Sequence, residues 1–147
     1  MKKLFIYYSV TGSGDLVAEQ LKEKGYDIRK VIKKRSLPKI FFFRVFVGGF
    51  LASINHKSRL KDFDTNIDDY DEIVIGSPIW ADRFSSPINT VLSTLNFEGK
   101  KVSFILYSGG GQAASAEERI KNEFPQSKYV ILKEPKKYEE ELKKINL

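Results

Sequence analysis

The chain has no cysteine and a single histidine, His56, among its 147 residues. The first absence excludes disulfide scaffolds, thiolate metal sites, iron–sulfur clusters and thiol nucleophiles; the second excludes a histidine-rich metal centre. Long apolar runs are missing as well. The most apolar stretch, Ile40 to Ala52, is 13 residues long and contains Arg44, short of the roughly 20 residues a bilayer-spanning helix needs, so no membrane span is expected. The opening Met1-Lys2-Lys3 followed by Leu4 to Val10 begins like an export signal. It meets glycines and Asp15 without a small-residue cleavage pattern, and is expected to be a mature cytoplasmic start. Repeats, low-complexity tracts and linkers are also lacking, which leaves residues 1–147 as one expected domain. At 41% hydrophobic and 13% aromatic residues the composition is too apolar for disorder.

What is present in excess is positive charge on one side of the sequence. The net charge is +6, yet residues 1–61 hold 14 Lys or Arg against 4 Asp or Glu, whereas residues 62–147 hold 11 against 15. Such asymmetry speeds encounters with anionic ligands or acidic partners and does not specify a fold. Nucleic acid is not the expected partner, because the basic residues are scattered and the aromatics near them form apolar runs rather than spaced stacking platforms. The acidic group Asp68, Asp69, Asp71 and Glu72 reads as a solvated loop, since hard-cation sites bring carbonyls and turn glycines at defined offsets. No metal site is expected.

Strand-like and helix-like segments alternate. Leu4 to Tyr8 is a short continuous apolar run ending in a Gly-rich turn, as a buried parallel strand reads. Leu16, Val17, Ala18 and Leu21 keep helical spacing up to Gly25, with Asp15 near the positive helix end. Further strands are predicted at Tyr26 to Ile32, Asp71 to Gly76, Val102 to Tyr107 and Lys128 to Lys133. Helices are predicted at Ile88 to Leu95, Ala113 to Phe124 and Tyr138 to Ile145. The alternation predicts a three-layer α/β domain with a mostly parallel sheet, because parallel neighbours need helical crossovers. Ligands of such sheets bind beyond the carboxyl ends of the strands.

Three loops at that end carry the chemistry. Ser9-Val10-Thr11-Gly12-Ser13-Gly14-Asp15 offers hydroxyls, glycine backbone and a helix N-terminus, the donors a phosphate wants, although the same residue types also make ordinary turns and caps. The pattern GxxxxGK[ST] fails here. The pattern GxGxxG keeps Gly12 and Gly14 but has Val17 at the third position, leaving a weak NADP reading in which Lys33, Lys34 and Arg35 could meet a 2′-phosphate. The second loop, Ser77 to Pro87, holds Trp80, the sole tryptophan, whose flat face suits a planar ring. In the third, Ser108-Gly109-Gly110-Gly111-Gln112 lets backbone lie close against a ligand edge.

Together these segments, above all YYSVTGSG, DEIVIGSPIWADRFSSPI and KVSFILYSGGG, resemble the flavodoxin family over essentially the whole chain. The resemblance implies a flavodoxin-like sandwich with a five-stranded parallel sheet in order 2-1-3-4-5, binding FMN noncovalently. Ser9, Thr11, Gly12, Ser13 and Gly14 would hold its phosphate. Pro78, Ile79, Trp80 and Ala81 would lie along the isoalloxazine, and Ser108, Gly109, Gly110, Gly111 and Gln112 would embrace its other edge. Three departures stand out. Gly14 replaces the family's usual threonine, Asp82 stands where related loops often have glycine, and a second stacking aromatic is absent from the third loop. The chain is also basic where flavodoxins are typically acidic.

The function implied is electron transfer with redox partner proteins, which the basic half would favour if acidic, and no side chain is required as a catalytic acid or base. A small NAD(P)H-dependent quinone or flavin reductase is the enzymatic alternative, and an FMN-free interaction module on the same fold is a third. The helical segment Ile40 to Ile54 is apolar on more than one side. One side is expected to cover the sheet, and candidates for the other are a second copy of the chain in a homodimer, a redox partner or an anionic membrane surface.

Overall fold

The computed structural model describes residues 1–34 and 59–147. The Ile40 to Ile54 segment and His56 lie outside the described residues. Lys33 and Leu60 form an antiparallel bridge, and Lys34 N–H donates to the Arg59 carbonyl at 3.0 Å, so positions 34 and 59 sit side by side.

The elements run β1 (Lys3–Tyr7), α1 (Ser13–Glu23), β2 (Asp27–Lys30), β3 (Glu72–Trp80), β4 (Arg83–Phe84), α2 (Ser86–Thr94), β5 (Lys101–Ser108), α3 (Ala114–Glu123), β6 (Lys128–Lys133) and a 3-10 helix, Glu139–Lys144. The parallel strands lie in the order β2-β1-β3-β5-β6, with the two-residue β4 antiparallel to β3. Counted among themselves, the five parallel strands therefore have the order 2-1-3-4-5 expected from the sequence. This is the α/β arrangement of the flavodoxin-like fold.

The central strands are apolar on both faces because both faces are covered. On one side Val17, Ala18 and Leu21 of α1, with Ile145, pack on Phe5, Tyr7, Val74 and Ile105. On the other, Ile88 and Val91 of α2 and Ala116 and Ile120 of α3 pack on Leu4, Ile6, Ile73, Ile75 and Phe104. Gly76 lets this packing close. A Cβ there would meet the Phe5 ring at 2.6 Å, and Phe5 is fully buried.

Three segments depart from the sequence reading. β3 does not stop at Gly76 but continues through Pro78 to Trp80. Beyond Gly76 it has lost its β1 neighbour; Ser77 and Pro78 pair with β5, Pro78 lying opposite Tyr107, and Ile79 and Trp80 pair with β4. A proline is tolerated on a strand edge of this kind. The C-terminal helix is 3-10, not α. Glu141 turns back from it to accept the Lys133 N–H at 2.9 Å, while Glu141 N–H and Ile145 N–H donate three residues back to Tyr138 and Leu142, the tighter 3-10 pattern. Glu72, grouped with solvated acids in the sequence, is buried; it accepts the Tyr26 hydroxyl at 2.5 Å and faces Lys101 at 3.6 Å. Among the described residues no helix is long and apolar enough to cross a membrane.

Candidate cofactor-binding cleft

A cleft of about 250 Å³ opens at the carboxyl ends of β1, β3 and β5. It is lined by Val10, Thr11, Ser13, Pro78, Ile79, Trp80, Tyr107, Ser108, Gly109 and Glu134. All three loops singled out in the sequence contribute to it. Pockets enclosing a drug-sized ligand usually measure about 300–1,000 Å³, so this cleft would seat part of a planar ligand and leave part in solvent.

The first loop is organised from within. Ser9 Oγ accepts the N–H groups of Gly12, at 3.2 Å, and Gly14, at 3.1 Å, which curls the backbone around the serine. Gly12 takes φ +98° and begins α1 without a side-chain cap. Such a left-handed turn at a helix start suits glycine; Ser9 Oγ takes one first-turn donor, the Gly14 N–H, and the helix start offers its other donors to an outside acceptor. Thr11 and the buried Ser13 bring hydroxyl side chains to the cleft. Ser9, Gly12 and Gly14 do not line it.

Gly14 has a steric cause. A Cβ on this residue would lie 2.6 Å from the Tyr107 hydroxyl, 2.7 Å from the Tyr7 ring and 2.9 Å from Ser9 Cβ. The Tyr107 hydroxyl donates to the Tyr8 carbonyl, fixing the end of β1 where the loop departs. Burial, first, and the nearby Tyr7, Asp15 and Tyr8 push the Tyr107 phenol well above its ordinary pKa, so it stays a neutral donor. Tyr7 is likewise raised, by burial and by its bond to Asp15. Asp15 accepts the Tyr7 hydroxyl at 2.7 Å and Lys30 Nζ at 2.8 Å. Partial burial alone would raise Asp15, but these two bonds, with the charges of Lys30 and Lys136, hold its carboxyl below the ordinary aspartate value.

The second loop is a β-hairpin. Trp80 and Arg83 pair across the turn, and Ala81 and Asp82 both take positive φ, 48° and 64°. Two-residue turns of this hand match strand twist and normally use Asn-Gly; an Ala-Asp pair gives little sequence signal. The hairpin is held by Ser77 Oγ, which accepts the Ser85 N–H at 3.1 Å, and by the Asp82 carbonyl, which accepts the Ala116 N–H at 2.9 Å. Trp80, half-buried at the strand end, meets Tyr8 edge-on with ring centroids 6.0 Å apart. Pro78, Ile79 and Trp80 thus form one apolar wall. Ala81 is exposed at the hairpin tip and does not line the cleft.

In the third loop Ser108 and Gly109 reach the cleft, while Gly110, Gly111 and Gln112 do not line it. Ser108 Oγ donates to the Gln112 carbonyl at 2.7 Å, closing the loop on itself. Two functional candidates went unread in the sequence. Glu134, at φ +40°, lines the cleft, and Lys136 Nζ donates to the Thr11 carbonyl at 2.8 Å. Their only signal was the charged turn Glu134-Pro135-Lys136-Lys137 after the last strand.

A family model described as Flavodoxin matches residues 52–146, well over half of the chain. The chain belongs to the flavodoxin family. No curated protein matches this flavodoxin-family chain significantly. Among solved structures, a candidate flavoprotein of Bacteroides eggerthii is 26% identical over 89% of this chain and 87% of its own, with a TM-score of 0.75. A candidate flavoprotein of Bacteroides uniformis is 22% identical over 97% and 98%, with a TM-score of 0.72. A Lactobacillus acidophilus flavoprotein solved in complex with FMN is 19% identical over 95% and 97%, with a TM-score of 0.66. The last two resemblances are of fold.

Proposed function

We propose that this flavodoxin-family protein binds FMN noncovalently in the cleft and serves as an electron carrier. One observation carries the reading: hydroxyls and a helix start at Thr11 and Ser13, an apolar wall at Pro78, Ile79 and Trp80, and the glycine edge at Gly109 converge on one cleft. The Lactobacillus protein of the same fold was crystallised with FMN, which supports the choice of ligand.

When bound, the flavin supplies one- or two-electron redox chemistry that no side chain here offers. The chain's part is to bind and orient. Trp80 gives a face for stacking, worth about 0.5–1.5 kcal/mol beyond the area it covers. Pro78 and Ile79 exclude water beside it. Thr11, Ser13 and the α1 N-terminus donate hydrogen bonds to an anion, and Ser108 and Gly109 present backbone to the ring edge. The basic residues concentrated in 1–61 favour acidic partner proteins.

The test is an FMN titration of the apoprotein, followed by quenching of flavin fluorescence, with Trp80→Ala beside the wild type. Saturable uptake with quenching is expected, and the variant is expected to bind about tenfold more weakly. No saturable uptake, or unchanged affinity without the indole, removes the proposal.

A second reading, a small NAD(P)H-dependent quinone or flavin reductase, is favoured by the third loop. Among the described residues, chain neighbours aside, no atom lies within 4 Å of where a Cβ would sit on Gly109 or Gly110, an open edge that suits the approach of a second substrate. Steady-state NAD(P)H oxidation with a quinone acceptor separates the two.

A further inference from the structure

We infer that Lys136 is a phosphate-selecting residue, the cation that makes this cleft prefer FMN to unphosphorylated riboflavin. The inference rests on the flavin reading above and adds a group from a distant part of the chain. Residues 9–14 carry no basic side chain, so within the loop a phosphate dianion would find amides, hydroxyls and a helix dipole but no full positive charge. The turn after β6 brings one. Its first residue, Glu134, lines the cleft, and two residues on Lys136 Nζ donates to the Thr11 carbonyl at 2.8 Å.

The lysine runs past Gly12. A Cβ at Gly12 would lie 3.3 Å from Lys136 Nζ and 3.5 to 3.6 Å from its last two methylenes. The lysine stem therefore lies in contact range of Gly12, along the loop. An ammonium has three donors, and the Thr11 carbonyl takes one, leaving others for an anion held by the same loop. Asp15, the acid that follows the loop, is bonded to Tyr7 and Lys30 and is reached by Lys136 only through its charge, so it takes none of the remaining ammonium donors. Charge-assisted hydrogen bonds to phosphate are about twice as strong as neutral ones, and they weaken with salt where the cation is exposed.

The experiment compares FMN and riboflavin affinities of wild type, Lys136→Gln and Lys136→Arg at low and high salt. Lys136→Gln is expected to weaken FMN about tenfold while leaving riboflavin unchanged, Lys136→Arg to restore most of the FMN affinity, and added salt to erode the FMN preference of wild type more than that of the Gln variant. The unchanged riboflavin affinity serves as the control for folding. An equal loss for both flavins would show that Lys136 only shapes the loop through Thr11, and overturns the assignment. So does an unaffected FMN affinity, with the cleft reading left standing. Wild-type protein that takes up neither flavin overturns both.

Discussion

The hydroxyl of Tyr107 occupies the space into which a side chain at residue 14 would grow, 2.6 Å from the position of its Cβ. The glycine that departs from the family's usual threonine is thus matched by a phenol from a neighbouring strand. Gly14→Ala is expected to destabilise the protein by about 1–3 kcal/mol, the usual cost of overpacking. In Tyr107→Phe the same substitution should cost less, since one of its three clashes is gone. A double-mutant cycle by urea unfolding measures the coupling; additive effects would show that the two residues do not share this space.

The hairpin tip offers a gain rather than a loss. Ala81 sits at φ 48°, where an L-residue pays about 1–2 kcal/mol relative to the right-handed region. Glycine relieves this, less the extra freedom it gives the unfolded chain. Ala81→Gly is expected to raise stability by about 0.5–1 kcal/mol, read as a higher denaturation midpoint at unchanged slope. A lower midpoint would refute the strain.

Asp15 gives the protein an acid-side dependence. Its folded pKa is held below the ordinary aspartate value, so the stability it contributes is complete above that value, near 3.9, and is lost as pH falls through the lower folded pKa. The side chain is 44% exposed, and screening limits the effect to less than about 1 kcal/mol. Wild type should therefore exceed Asp15→Asn by a constant margin at pH 5 to 7, and the margin should shrink below pH 4. Equal spacing of the two unfolding curves at every pH would contradict this assignment.

Glu134 brings a negative charge to a cleft proposed to hold a flavin. At about 8 Å and an effective dielectric of about 40, one such charge is worth roughly 1 kcal/mol against an added electron. Glu134→Gln should raise the potential of the fully reduced couple by a few tens of millivolts. Spectroelectrochemistry reads this directly, and an unmoved couple would place the carboxylate outside the ring's field.

Much of this architecture was legible because buried parallel strands read as unbroken apolar runs: Phe5 and Ile6, Ile73 to Ile75, and Phe104 to Leu106 need no partner to be recognised. The cleft's loops followed from glycine and hydroxyl content at strand ends. The Trp80–Arg83 hairpin was hidden because Ala81-Asp82 lacks the glycine that usually marks such a turn, and Pro78 argued for a loop where a one-sided strand edge tolerates it. Glu134 and Lys136 were hidden for another reason. Their place beside Thr11 is set by how β6 docks on the sheet, and local pattern carries no information about a contact spanning 125 positions.

The Lys136 contact with Thr11 also has a consequence in time. A ribosome delivers the first loop early but cannot complete its surroundings until β6 and the turn after it have emerged and docked. A nascent chain would hold the loop in an unfinished form, so uptake of the proposed flavin would belong after synthesis, as the closing event of assembly.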